Sequence, residues 1–295
     1  MSKRIFLLIL TNILVVLTLT TILHFTGLGR YLSGMGGRYD GFFLVCLFWG
    51  FGGAFFSLAI SRIMAKMTMG VRVIDPRNPG AFADLVSMVH RLAREAGLPA
   101  MPEVGVYESP ELNAFATGPT RSRALVAVST GLLRRMDSDE VEGVLGHEIA
   151  HVANGDMVTM TLLQGVINAF VIFFSRILAA AISGRRDGEE RSGAGNFMLV
   201  MLLQTVLSFL GMFVVAWFSR YREYRADAGG AAYAGRGKMI GALQVLRRAY
   251  EHPAEDSRGA ALDTLKISGR GGILSLLSTH PPLEERIARL QAAAG

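Results

Sequence analysis

The amino-acid sequence predicts a mainly α-helical protein that joins integral membrane helices to a polar domain with a small antiparallel β-sheet. Three observations lead there. Four apolar runs are long enough to matter for a bilayer. Two short segments rich in Val and Ala, on either side of Gly118-Pro119, read as strands. A pattern H-E-x-x-H, His147-Glu148-Ile149-Ala150-His151, falls within a stretch of helical periodicity.

The apolar runs come first because they set the class. The chain has 295 residues, of which 51% are hydrophobic and 18% charged. Run one is Ile5 to about Phe25, run two Phe42 to about Ile60, run three Met157 to Ile182 and run four Phe197 to Phe218. A helix of about 20 residues reaches roughly 30 Å, the thickness of the hydrocarbon core. Run one follows Lys3 and Arg4, as a secretory signal would. Its apolar core is too long for one, and Gly27-Leu28-Gly29-Arg30 follows it instead of a small-residue cleavage site, so a retained transmembrane helix is expected. Runs three and four carry polar residues, Gln164, Asn168 and Arg176 in one and Gln204 in the other. Such residues face a bundle interior or a cavity when the helix spans a membrane.

The net charge of +6 does not form a nucleic-acid patch. Lys and Arg gather at the ends of the apolar runs: Lys3 and Arg4, then Arg62, Lys66 and Arg72, then Arg220, Arg222 and Arg225. With four spans these clusters share the cytoplasmic side. Arg185, Arg186 and Arg191, between runs three and four, depart from that pattern. The single cysteine, Cys46, lies in run two and excludes both an intrachain disulfide and a cysteine-based zinc site.

In the polar block after run two, Pro79 to Ala96 has the spacing of an amphipathic helix stopped by Gly97-Leu98-Pro99. Glu103–Tyr107 and Ala124–Ser129 are the expected strands, with Asn113-Ala114-Phe115-Ala116-Thr117-Gly118 between them. Asp137, with Glu140 three residues on, is a capping-box start for a helix that runs to about Asn154-Gly155. After run four, helices are expected over Lys238–Tyr250 and Leu283–Ala293, with a loop rich in Gly, Asp, Ser and Arg from His252 to Gly272.

The H-E-x-x-H therefore sits on a helix, where residues four apart share a face. His147 and His151 can chelate one metal ion, with Glu148 beside them as a general base. Neutral imidazoles suit zinc, and a catalytic zinc needs a third protein ligand. Of the six histidines only this pair has the spacing; His24, His90 and His252 read as ordinary membrane-edge or surface residues. The best third ligand is Glu223 in Arg222-Glu223-Tyr224-Arg225-Ala226-Asp227, a helical continuation of run four. Asp227, one turn on, can accept a hydrogen bond from the outer ring nitrogen of a ligating histidine. Ala226, Ala228, Gly229 and Gly230 would let two helices approach closely around the ion.

These motifs, with Thr279-His280-Pro281-Pro282 and Arg286, resemble the HtpX membrane metalloproteases of the gluzincin group, which also holds the CAAX prenyl proteases. The resemblance covers nearly the whole chain. It implies a gluzincin-like peptidase domain over residues 63–295, following an N-terminal hairpin of two transmembrane helices over 1–62. The apolar helices at 157–182 and 197–218 would then also span. It further implies a bacterial inner-membrane endopeptidase with one zinc ion per chain and a cytoplasmic active site, acting on misfolded or damaged membrane proteins. By that match His147, His151 and Glu223 bind zinc and Glu148 is catalytic. In related prenyl proteases an Asn in an N-A-F-like edge segment, and the His and Arg of an H-P-x-x-x-x-R stretch, line the substrate site. Here these are Asn113, His280 and Arg286, with Ala114 and Phe115 beside Asn113 and His280 as a second donor to the oxyanion. The competing classes are a site-specific processing peptidase and a non-enzymatic membrane scaffold or transporter subunit. The second leaves Glu148 and the Glu223/Asp227 pair unexplained. The oligomeric state is not legible.

Overall fold

A computed structural model describes residues 39–183, 193–251 and 280–293. Run one with His24, and the loop from His252 to Gly272, lie outside the described residues. The chain divides into two compact units, each discontinuous in sequence: Met1–Phe55 with Thr161–Val215, and Phe56–Met160 with Ala216–Gly295.

The first unit draws on three long helices: α1 (Tyr39–Thr68), α5 (Asp156–Ser183) and α6 (Gly193–Tyr233). Among the described residues these three are long and apolar enough to cross a membrane. Run two is helical throughout, and its helix continues past Ile60 to Thr68. Small residues let α1 and α5 meet: a Cβ on Gly50 would stand 2.7 Å from the backbone nitrogen of Ala169 and the carbonyl oxygen of Gly165. Phe43 packs on Phe170 and Phe173, with ring centroids 5.9 and 5.1 Å away. Gln164 donates to Asn168, one turn on, at 2.8 Å. This satisfies part of each amide without water, as an apolar setting requires.

The second unit holds a four-stranded sheet, β1 (Arg72–Val73), β2 (Glu103–Tyr107), β3 (Ala114–Thr117) and β4 (Leu125–Ser129), in the order β1-β2-β4-β3. The sheet is mixed and not purely antiparallel. The two expected strands, β2 and β4, lie parallel, with Val104 opposite Val126; the antiparallel partner of β4 across Gly118-Pro119 is β3, the segment expected only to lie between them. The reversal at Gly118 turns the chain back, and β4 then inserts between β2 and β3. All five residues of β4 are buried, and so are four of the five in β2. Central strands covered on both faces read as unbroken apolar runs. β3 is left at the edge.

Helix α2 (Ala83–Glu95) buries Leu85, Val86, Val89, Leu92 and Ala93, the expected stripe. Its first turn is a short 3-10 segment at Gly80–Phe82. Helix α3 (Thr130–Arg135), not anticipated from the sequence, starts directly on β4, where Ser129 Oγ accepts from the Leu132 amide at 3.1 Å.

Helix α4 (Ser138–Asn154) opens on the expected capping box, with both the Asp137 and Glu140 hydrogen bonds formed. It ends at Gly155, whose φ of 70° is left-handed. Helices α7 (Arg236–Glu251) and α8 (Leu283–Ala292) pack together through Met239, Leu243, Ile287 and Leu290.

The approach of α4 to the C-terminal part of α6 is unusually close. A Cβ on Gly229 would meet Ala150 Cβ at 2.6 Å, and one on Gly230 would meet the His147 amide nitrogen at 2.9 Å. Gly230→Ala is therefore expected to destabilise the protein despite the better helix propensity of Ala, a gain of about 1 kcal/mol. The new methyl presses on backbone, and overpacking of this kind costs about 1–3 kcal/mol. A thermal melt reads the difference; a variant more stable than the parent would show that the two helices can part without cost.

Candidate metal centre

Helix α4 carries His147 and His151 on one face, with Nε2 atoms 3.1 Å apart. Glu223 reaches them from α6: one carboxylate oxygen lies 3.4 Å from His147 Nε2 and the other 3.3 Å from His151 Nε2. One ligand atom from each of the three residues falls within 4.8 Å of the others. Two imidazole nitrogens on one tetrahedral zinc at about 2.0–2.1 Å stand about 3.3–3.4 Å apart. The spacing fits such an ion.

The orientation of the rings fits as well. His147 Nδ1 is 2.9 Å from Asp227 Oδ1, and His151 Nδ1 is 2.6 Å from Asp156 Oδ2. With each Nδ1–H donated outward to a carboxylate, the two Nε2 lone pairs and the Glu223 carboxylate converge. Electron pairs gathered in this way repel unless a cation lies among them, so the donor set suits a divalent metal. Glu223 is 1% exposed, too deep to be a solvated helix end.

Burial disfavours the protonated form of both rings, but hydrogen bonds to carboxylates outweigh it. Where no metal is bound a proton takes the cation's part: His151 is pushed up to about 9 by Asp156 and Glu223, and His147 is raised by Asp227 and Glu223. Arg286, also buried, is held all the more firmly charged by Asp227.

The other expected site residues fall unevenly. His280 does reach the centre: its Nδ1 lies 2.8 Å from Glu223 Oε2, on a side chain that is 64% exposed. Arg286 is found in a different setting from the substrate-lining one expected. It is buried and grips Asp227 with two hydrogen bonds, Nε to Oδ2 at 2.8 Å and Nη2 to Oδ1 at 2.6 Å. Its Nη1 is 3.7 Å from Glu223 Oε2. Ile287 and Leu290, packed on α7, hold the helix that delivers it.

Glu148 is half-buried, and its charge acts on His151, Tyr107 and Arg286. Asn113 leads into the edge strand, which lies against α4. Asn113 is held by its backbone: its amide donates to Ser129 Oγ at 3.2 Å, and its carbonyl accepts from the Ser129 amide at 2.9 Å. Ala114 and Phe115, in β3, are half-buried.

Two contributors were missed in the sequence. Asp156 stands five residues after His151, a spacing that shares no helical face. Ser129 gave no signal beyond its place at the end of a strand.

A helix-borne H-E-x-x-H facing a glutamate from a second helix defines the class as a metallopeptidase. The comparisons with known proteins agree. The model described as Peptidase family M48 matches residues 79–294, and the chain belongs to that family. It is 53% identical over 300 residues to a "Protease HtpX homolog" of Bacillus subtilis, covering 99% of this chain and all of that one. It is 48% identical to "Protease HtpX" of Shewanella oneidensis over 98% of its length and 99% of the relative's. Its fold is like that in the crystal structure of S. mikatae Ste24p, with a TM-score of 0.63 at 20% identity; 95% of this chain is covered, but only 65% of that one. The protein is thus a metalloprotease with membrane helices, a hydrolase of peptide bonds.

Proposed function

We propose that the protein is a zinc endopeptidase of the bacterial inner membrane. Its active site faces the cytoplasm, and its substrates are misfolded or damaged membrane proteins. The observation that carries the reading is the convergence of His147, His151 and Glu223 within 4.8 Å, each imidazole backed by a carboxylate. These three residues would hold one zinc ion, with Asp227 supporting His147 and Arg286 supporting Asp227. The orientation rests on the basic clusters Arg62, Lys66, Arg72 and Arg220, Arg222, Arg225 at the ends of the apolar runs. The organisation that goes with it is an N-terminal hairpin over residues 1–62 and a peptidase domain over 63–295, with residues 157–182 and 197–218 spanning the bilayer.

Bound zinc would supply Lewis-acid chemistry, acidifying a water to a pKa near 7 and polarising the scissile carbonyl. Glu148 takes a proton from the attacking water onto its carboxylate and passes it to the amine nitrogen as the peptide bond breaks. His280, exposed at the rim and close to Glu223, donates a hydrogen bond to the developing oxyanion. The segment from Asn113 through Phe115, in the last strand of the sheet, pairs with an extended peptide by strand addition and reads mainly its backbone. That mode favours broad cleavage over sequence-specific cleavage, as quality control requires.

The test is digestion of casein by the protein purified in detergent. Cleavage is expected to stop on addition of a chelator and to return when zinc is restored. Cleavage indifferent to chelation would exclude a metal-dependent mechanism. One dominant cleavage site across several substrates would favour a processing role instead.

A further inference from the structure

To bind zinc, His151 must hold its ring with Nε2 toward the ion, and the contact at Nδ1 is what can hold it. We propose that Asp156 is the positioning residue of His151: its carboxylate accepts the Nδ1 hydrogen and so keeps the Nε2 lone pair turned toward the zinc position. This rests on the metal-centre reading above and extends it to a residue outside the two recognised motifs.

The contact is short and deep. Asp156 Oδ2 lies 2.6 Å from His151 Nδ1, and Asp156 is 2% exposed. A carboxylate withdrawn from water is costly unless a donor meets it, and a charge-assisted hydrogen bond of this length is among the stronger kinds. Neutral imidazole has two tautomers, and the partner at one nitrogen decides which nitrogen is left with a lone pair. Asp156 therefore selects the tautomer that can bind a metal through Nε2.

The local backbone is built for this contact. On an uninterrupted helix a residue five positions on would lie about 140° around the axis from His151, out of reach. Gly155, at φ 70°, breaks the helix, and its amide closes back on the His151 and Val152 carbonyls. Helix α5 then starts at Asp156, so the turn returns the carboxylate to His151. The N-terminal position on α5 also favours a negative charge.

The two histidines are held differently. Asp227 serves His147 at 2.9 Å and also binds the Arg286 guanidinium, whose positive charge offsets its own. Asp156 meets His151 at the shorter distance. Loss of Asp156 thus acts on zinc without leaving a buried guanidinium behind.

The experiment compares the full-length parent with Asp156→Asn in detergent, by competition for zinc against a chromogenic chelator. The variant is expected to bind zinc about 10–100-fold more weakly, with the metal-free fold retained but somewhat less stable, as loss of a buried charge-assisted bond requires. In the zinc-loaded parent labelled with 15N-histidine, His151 should carry its proton on Nδ1, with a strongly downfield proton resonance. Equal zinc affinity in the two proteins would overturn the inference, and so would a parent His151 protonated on Nε2. The downfield position of that proton, which reports its short bond to the carboxylate, decides the matter even if the variant does not fold; an Nδ1 proton at an ordinary imidazole position would overturn the inference. A parent that takes up no zinc would overturn the metal-centre reading and this inference with it; a parent that loads normally beside an equally loaded variant would overturn this inference alone.

Discussion

Glu148→Gln is expected to retain zinc at the parent level and to lose about 10²–10⁴ in the rate of peptide hydrolysis, the range that general acid–base catalysis supplies. The physical reason is the separation of roles along one helix. His147 and His151 point their Nε2 atoms at Glu223 and donate their Nδ1 hydrogens to aspartates. Glu148 takes no part in that arrangement, so its amide leaves the ligand geometry in place. The glutamine cannot take up the water proton. Zinc content by atomic absorption, measured beside casein cleavage, separates the two effects. Cleavage near the parent rate would show that the base lies elsewhere.

Glu223→Ala should have the opposite signature, with the metal lost first and activity with it. Among the described residues, Glu223 is the one carboxylate that approaches both Nε2 atoms, at 3.4 and 3.3 Å. It is also the acceptor for His280 and has the Arg286 guanidinium close by. Its removal leaves two imidazoles facing each other with only neutral donors for a dication. A truncation of this kind in a buried charge cluster also leaves the partners under-compensated, which is costly. Metal content should fall to a small fraction of the parent's, with a lower melting temperature. Undiminished zinc in this variant would require a different third ligand.

Much of the centre is legible in one dimension because its main parts obey helical spacing. His147 and His151 are four apart, Glu223 and Asp227 are four apart, and each pair lies on one helix face. The small residues Gly229 and Gly230 announce a close approach, and the structure places their backbones against Ala150 and His147. The capping box at Asp137 and Glu140, and the stop at Gly155, are local chemistry and were read to within a residue.

The features that were not legible depend on partners distant in the chain or on a change of direction. The Val- and Ala-rich character of β4 shows that it is buried, but not that it runs parallel to β2; that depends on insertion between two neighbours. Arg286 is visible as part of a motif, yet its position beside Asp227 depends on α8 packing on α7 through Ile287 and Leu290. Asp156 is out of register with His151 on any regular helix, and only the left-handed turn at Gly155 brings it back.

By itself, then, the sequence determined the class: apolar helices long enough for a bilayer, and a metal-binding motif whose ligands lie at intervals of one helical turn. Those properties follow from periodicity, which a linear chain carries in full. The tertiary structure decided which carboxylate stands behind which histidine, which cation neutralises it, and which strand is left at the sheet edge. Some of those choices depend on distances between residues 59 to 139 positions apart, such as Arg286 with Asp227 and with His147, and others on a change of chain direction, such as the turn between His151 and Asp156. Only the packing of the helices sets such distances.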